Sequence, residues 1–162
     1  WGNELPRLTC RPMPVLLIVH HSPGPALNAM LAKLVAGATT AGIEGVESHV
    51  VEALNATASH VRAADGIILG TPANLVYMSG ALKHFFDTAY NACLGTTEAL
   101  PYGVFVHGES DTSGALLGVK KIATGLRWRL AQPPVSCIGT PEQTALEACW
   151  ELGAAMAAGL MV

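Results

Sequence analysis

The chain has 162 residues, of which 51% are hydrophobic and only 13% are charged, and its formal net charge is −3. This length is typical of one compact domain, and so many apolar residues exclude intrinsic disorder. Nine lysines and arginines stand against twelve acidic residues, which leaves no basic patch of the kind that binds nucleic acid. We therefore expect no nucleic-acid partner.

The ends of the chain and its cysteines indicate the compartment. Residues 153–162 are the most apolar terminal stretch, but they are too short to span a bilayer, and no signal-peptide core is found. The four cysteines lie far apart and form no C-x-x-C pair. We therefore expect reduced thiols, a cytoplasmic location and no membrane span.

Residues 1–12 lack periodicity and contain two prolines, which predicts an N-terminal extension followed by a single domain over 13–162.

Strands and helices alternate along that domain. Residues 15–20 form a continuous apolar run, as in a strand covered on both faces, and residues 26–39 place apolar side chains on one helical face. The pattern continues with strands at 46–51, 66–70, 102–106 and 135–138, and with helices at 57–64, 79–92 and 113–130. Thr140, Pro141 and Glu142 would open a last helix as N-cap, first helical residue and first-turn acid.

Five strands alternating with five helices predict an α/β fold, a doubly wound five-stranded parallel sheet with helices on both faces. Ligands of such sheets bind outside the carboxyl ends of the strands. The loops at 21–25, 71–78 and 107–112 are therefore the candidate binding segments.

The first two of these loops allow both a binding and a structural interpretation. A helix start after Ser22 and Gly24 offers backbone donors for a phosphate, although Pro23 and Pro25 remove two donors and an ordinary tight turn is the alternative. In the second loop, apolar side chains can wall a planar ring or merely pack the loop down. The third loop is polar and could cover another edge of the same ligand.

Several other chemistries are excluded because the motifs that they require are missing. Neither G-x-G-x-x-G nor the P-loop pattern occurs. The segment 108–112 loosely matches a nucleophile elbow, but no histidine follows the serine. His20 and His21 are adjacent on a strand end, so their side chains diverge, and no metal site is expected. A bound cofactor would have to supply the chemistry.

The central segment carries a resemblance. Residues 64–72 (ADGIILGTP), continuing through 78–83 (MSGALK) to Phe86 and Asp87, resemble the flavodoxin-like FMN family, in particular its branch of NAD(P)H-dependent FMN reductases and quinone reductases. The similarity extends from about Val15 to the last helix. It implies the strand order 2-1-3-4-5, FMN as cofactor, and NADH or NADPH as co-substrate. Where family members usually carry hydroxyl side chains in the first loop, this chain has prolines.

The resemblance also implies which residues contact FMN. The phosphate would lie on the first loop, at His21, Ser22, Gly24, Ala26 and Leu27. The isoalloxazine and ribityl chain would be bordered by Thr71, Pro72, Ala73, Asn74, Leu75, Tyr77 and Met78. The other side of the ring would meet His107, Gly108, Glu109 and Ser110, with His107 as a possible hydrogen-bond donor to reduced flavin.

Three functions are compatible with these residues. The first is an FMN-dependent oxidoreductase that passes hydride or electrons from NAD(P)H to a quinone or a similar small acceptor. The second is an electron-carrier flavodoxin, which the net charge of −3 disfavours because such carriers dock through strong acidity. The third is an interaction module with weak FMN binding or none, which the first-loop prolines favour. We favour the first.

The low charge further predicts a homo-oligomer. The apolar stripe of the last helix, in contrast, is expected to pack on the sheet; it comprises Ala148, Leu152, Ala155 and Met156.

Overall fold

The structure is a computed structural model that describes residues 12–162. The predicted extension at 1–12 lies, except for Pro12, outside the described residues. The elements in chain order are β1 (Val15–His20), α1 (Pro25–Ala38), β2 (Glu47–Glu52), α2 (Ala58–Ala63), β3 (Gly66–Asn74), β4 (Tyr77–Met78), α3 (Gly80–Cys93), β5 (Pro101–Gly108), α4 (Ser113–Gly125), β6 (Arg129–Leu130), β7 (Val135–Ile138) and α5 (Gln143–Ala158).

Apart from β4, the strands of the described residues form one parallel sheet in the order β2-β1-β3-β5, with β6 and β7 both on the far side of β5. β6 pairs with the first residues of β5 and β7 pairs with its last residues. The predicted doubly wound α/β fold is confirmed. The strand count was wrong, because the fifth strand is split into β6 and β7 and because β4 adds an antiparallel partner to β3.

The core lies on both faces of the sheet. Leu16 and Ile18 of β1 pack with α1 and α5, whereas Leu17 and Val19 pack with the layer of α2, α3 and α4. This explains why β1 reads as a continuous apolar run. The stripe of α5 also packs inward, as predicted, since its Leu152 and Met156 are buried in the same cluster as α1.

Helices α1 and α5 touch through their backbones. A Cβ atom on Gly37 would lie 1.9 Å from the carbonyl oxygen of Trp150, and one on Gly153 would lie 2.0 Å from that of Leu34. No side chain fits at either position. The two glycines therefore set the spacing of this helix pair.

The predicted end of α4 at residue 130 was wrong, because the helix ends at Gly125. Arg127 has φ +59°, its N–H donates to the Thr124 carbonyl at 3.0 Å, and the Trp128 N–H donates to the Ala123 carbonyl at 2.9 Å. This is a Schellman motif with arginine in the position that usually holds glycine. The sequence therefore carries no stop signal there, and Arg129 joins the sheet instead.

The predicted end of β3 at Gly70 was also wrong. The strand continues to Asn74 and turns back into β4 through Leu75 and Val76, whose φ angles are +49° and +58°. Two consecutive positive φ angles are those of a type I′ hairpin turn, which usually carries Asn-Gly or Asp-Gly. Neither the longer strand nor the turn can be predicted from the sequence, because Pro72 interrupts the strand pattern and the turn holds two apolar residues.

The two helix starts that were predicted from capping residues have different outcomes. The Ser79 hydroxyl accepts the Leu82 N–H at 3.2 Å and caps α3, as predicted. For α5 the prediction was two residues early, since the N-cap is Glu142 and Thr140 and Pro141 belong to the preceding loop. Gly139 has φ +73° and donates to the Gly108 carbonyl at 2.9 Å, which holds that loop against β5. Because Thr140 precedes Pro141, its backbone also favours an extended conformation over a helical one.

Within residues 12–162 no helix combines the length and the apolar character that crossing a membrane requires.

Candidate functional site

The sheet brings the carboxyl ends of β1, β3 and β5 side by side. In the register of the strands, His20 of β1 lies opposite Gly70 of β3, and Pro72 of β3 lies opposite His107 of β5. The loops that follow these strands therefore meet at one edge, where the strand order changes direction. The His21 N–H donates to the Gly70 carbonyl at 2.9 Å and fixes the start of the first loop.

A cleft of about 280 Å³, called here the first cavity, lies between these loops. All three candidate segments contribute to it, although not all of their residues do. The predicted site residues that line it are Gly24, Ala26, Leu27, Pro72, Ala73, Asn74, His107 and Glu109, together with Pro23 and Pro25.

A neighbouring cleft of about 390 Å³, the second cavity, lies between the start of α1, the end of β5 and the loop before α5. It shares Pro25, Ala26, His107 and Glu109 with the first cavity. Sequence analysis missed its other walls, which are Ala29 and residues 139–141. The signal was available, because the β7–α5 loop also follows a strand at the carboxyl edge.

The start of α1 can receive an anion. Its N-cap, Gly24, is extended at φ −139° and ψ 171°, and Pro25 is the first helical residue. The N–H groups of Ala26 and Leu27 in the first turn have no acceptor within the helix, and that turn holds no acidic residue. A Cβ on Gly24 would meet nothing within 4 Å, so the space beside these donors is open.

Ser22 is held by a buried histidine rather than facing the first cavity. Its Oγ lies 3.1 Å from Nδ1 of His20, the last residue of β1. Burial lowers the pKa of His20, opposed by the Glu52 carboxylate, and the neighbouring His21 lowers it slightly further. A neutral imidazole therefore supports the Ser22 hydroxyl, and neither His21 nor Ser22 lines either cavity.

His107 lines both cavities and is only 9% exposed. Its Nε2 lies 2.7 Å from the Gly139 carbonyl oxygen. Because a carbonyl only accepts, Nε2 carries a hydrogen, and in the neutral ring the lone pair is on Nδ1. The predicted donation to reduced flavin would therefore require a proton on Nδ1.

Several predicted residues hold the β3–β4 hairpin instead of lining a cavity. The buried Thr71 hydroxyl donates to the Pro72 carbonyl at 2.8 Å and accepts the Ser79 N–H at 2.9 Å. Met78 is buried in the core, and the Tyr77 ring lies over Gly118 of α4, where a Cβ would be 2.6 Å from a ring carbon.

The remaining predicted residues lie around the site without lining it. Leu75 is 96% exposed at the tip of the hairpin. Gly108 is buried against Ala73 and Thr112, while Ser110 is exposed in the loop before α4. That loop is ordered locally by Asp111, whose carboxylate accepts the Ser113 N–H at 2.9 Å.

The described part of the chain contains neither a cluster for a metal nor an activated thiol. No group of three or more histidine, cysteine or acidic side chains could hold an ion in residues 12–162. Cys93, Cys137 and Cys149 are free and buried, and burial raises the pKa of the Cys149 thiol to about 12. Such thiols are inert at neutral pH.

Comparison with solved structures relates this architecture to known proteins. The chain matches a flavodoxin from the domain Archaea with a TM-score of 0.75, over 90% of this chain and 98% of that one, at 17% sequence identity. The chain has a flavodoxin-like fold. The same fold relates it to a WrbA-like flavodoxin from Agrobacterium tumefaciens, with a TM-score of 0.69 at 18% identity over 91% and 97% of the two chains.

The flavodoxin-like fold also occurs inside longer proteins. The chain matches the flavodiiron core of Flv1 from Synechocystis sp. PCC6803 with a TM-score of 0.73 at 17% identity, over 93% of this chain and 36% of that one. No family model and no curated protein sequence matches the chain. The similarity therefore lies in the fold.

Proposed function

We propose that this protein is an FMN-dependent oxidoreductase that takes hydride or electrons from NADH or NADPH and passes them to a quinone or a similar small acceptor. The observation that carries the proposal is the convergence of all three candidate loops on the first cavity. Ligands of open α/β sheets bind at this place, outside the carboxyl ends of the strands. The flavodoxin and WrbA-like neighbours support the flavodoxin-like fold on which this placement depends.

The start of α1 suits the FMN phosphate. No lysine or arginine is found among the described residues that line the first cavity, so backbone groups must bind the anion. Pro23 and Pro25 have no N–H, which leaves the amides of Gly24, Ala26 and Leu27 together with the partial positive charge of the helix end. A helix N-terminus with open space beside it is a common phosphate site.

The ends of β3 and β5 suit the ring and the ribityl chain. Pro72 and Ala73 give a short apolar wall, and Asn74 adds an exposed side-chain amide for polar atoms at the ring edge. His107 closes the far side and is held in place by Gly139. When bound, FMN supplies the capacity to accept a hydride and release electrons, which the side chains of this site do not have.

Two features concern the molecule as a whole. We propose a cytoplasmic location. We also expect several copies to assemble, because only 13% of the residues are charged. Sedimentation of the purified chain tests the second expectation, and a monomer at tens of micromolar would contradict it.

The two first-loop prolines favour one competing function, an interaction module that binds FMN weakly or not at all. Titration of the protein with FMN and with riboflavin, followed by flavin fluorescence, separates the two. We expect a dissociation constant in the micromolar range or below for FMN, about −8 kcal/mol, and much weaker binding of riboflavin because it lacks the phosphate. No quenching by FMN would favour the interaction module.

If FMN binds, anaerobic oxidation of NADH and of NADPH, with and without a quinone, tests the reductase. An FMN complex that neither nucleotide reduces would favour the electron carrier instead.

A further inference from the structure

One part of the second cavity, lined by Ala29, Thr140 and Pro141, has no role in the proposed binding of FMN. The second cavity adjoins the first cavity at His107, and Ala29 and residues 139–141 line it without lining the first. Because the two cavities share His107 and Glu109, ligands in them would be immediate neighbours. An oxidoreductase of the proposed kind needs a place for its acceptor next to its flavin.

The walls of the second cavity are rigid and apolar. Pro25 and Pro141 present rings with no free rotation, and Ala26 and Ala29 of α1 have side chains of one carbon. Such walls lose almost no side-chain entropy when a ligand arrives. Their small size leaves room for a flat ring.

The polar groups around the second cavity select an uncharged ligand. No lysine or arginine is among the described residues that line it, and Glu109, which also lines the first cavity, adds a negative charge at its exposed rim. The Thr140 hydroxyl is a donor for a carbonyl oxygen. Since Gly139 engages Nε2 of His107, Nδ1 is the ring nitrogen that can accept a hydroxyl hydrogen. Carbonyl and hydroxyl groups are the polar groups of quinones and hydroquinones.

We infer that the second cavity is the acceptor subsite and binds an uncharged quinone ring between α1 and the β7–α5 loop. The inference rests on the proposed function, because an acceptor has a role only where a flavin is bound. Its test is nevertheless independent of flavin, since binding of a quinone can be followed with or without FMN.

The probe is duroquinone, whose ring positions are fully methylated, so that it does not alkylate thiols. Two-dimensional NMR of nitrogen-15-labelled protein would follow its titration, first without FMN and then with FMN at saturation. We expect the largest amide shifts at Ala29, Gly139 and Thr140. Amide shifts confined to Ala73 and Asn74 would overturn the inference, because those residues line only the first cavity.

A matched pair of variants on one helix provides the control. Ala29 lines only the second cavity, so Ala29→Leu narrows that cavity, whereas Ala36→Leu adds the same side chain at an exposed position of α1 that lines neither. We expect Ala29→Leu to raise the duroquinone dissociation constant at least tenfold and Ala36→Leu to leave it unchanged. Neither variant should change the FMN dissociation constant.

Two results would overturn the inference. Unchanged duroquinone binding by Ala29→Leu would mean that the quinone lies elsewhere, and an equal loss of FMN affinity would make the second cavity part of the flavin site. A failure of FMN to bind would refute the proposed function instead, and the titration without flavin would still report on the second cavity.

Discussion

Gly24 is the residue at which phosphate binding and helix stability can be separated. It is the extended N-cap of α1, and a side chain there would enter open space. Aspartate is a favourable N-cap, so a carboxylate at this position should keep or raise the stability of the helix. The same carboxylate would repel a phosphate bound at the first turn.

We therefore predict that Gly24→Asp weakens FMN binding at least tenfold and leaves riboflavin binding unchanged, without lowering the free energy of unfolding. Fluorescence titrations and urea unfolding measure these quantities. Gly24→Asn is the control, since it is similar in shape and uncharged and should keep most of the FMN affinity. Equal affinities for FMN in the two variants would contradict a phosphate site at α1.

His20 makes stability depend on pH. Burial lowers its pKa in the folded state below the ordinary value of 6.5, so the folded protein binds fewer protons than the unfolded chain between these two pKa values. The stability that depends on a neutral His20 side chain is fully present above pH 6.5 and is lost as the pH falls through the lowered pKa. We predict that the free energy of unfolding decreases from pH 7.5 to pH 5 and that His20→Gln reduces this decrease. Urea unfolding at several pH values tests it, and parallel curves for the two proteins would refute it.

Among the elements, the pair of α1 and α5 depends on two glycines. Because a Cβ on Gly153 would lie 2.0 Å from the Leu34 carbonyl oxygen, Gly153→Ala must push the helices apart. We predict a loss of about 3 kcal/mol in the free energy of unfolding, the upper end of the usual cost of overpacking. Gly80→Ala is the control, since Gly80 begins α3 and a Cβ there meets nothing within 4 Å. A similar loss in both variants would show that helix spacing is not the cause.

The turn of the β3–β4 hairpin stores strain beside the candidate site. Leu75 and Val76 have positive φ angles, which cost roughly 1–2 kcal/mol for a residue with a Cβ and more for a branched one. Replacing both by the preferred pair, Leu75→Asn with Val76→Gly, should raise the free energy of unfolding by about 1 kcal/mol. Thermal and urea unfolding measure the change. Leu75→Ala with Val76→Ala removes the exposed apolar groups but keeps the strain, so it should not stabilise the protein.

For the whole molecule, FMN binding should raise the free energy of unfolding. A ligand that binds only the folded state at one hundred times its dissociation constant adds about 2.7 kcal/mol to the free energy of unfolding. In a chain of 162 residues this corresponds to a rise in Tm of about 5 to 10 °C. Differential scanning calorimetry with FMN tests the prediction, with riboflavin at the same concentration as the control. An unchanged Tm with FMN would argue for the interaction module.

The fold was predictable because its signals are local. The apolar run of β1 and the one-sided pattern of α3, in which Leu82, Phe85, Phe86 and Ala89 are all buried, follow from the spacing of residues along the chain. The end of α4 was not predictable. Arg127 adopts a left-handed conformation because the segment after it must reach β5, and nothing at that position in the sequence favours such a conformation.

The candidate site was predictable only to the level of its loops. The sequence by itself determined that three segments follow strand ends, and the order of the strands then brings those segments together. Whether a side chain faces a cavity or the core was decided by tertiary contacts. Thr71 hydrogen-bonds to the Ser79 N–H and Tyr77 packs on Gly118, because β3 runs four residues further than its apolar pattern shows and folds back as β4.

The second cavity could not be predicted from the sequence, because only the tertiary structure brings its walls together. Ala29 and Pro141 are 112 positions apart in the chain and carry no chemical signal, yet both line it. The sequence determined the alternation of strands and helices, because burial on the two faces of a sheet requires periodic apolar residues. Only the tertiary structure decided where the surface is concave, because a cavity depends on the distance between elements, here between the start of α1 and the loop that Gly139 holds against β5.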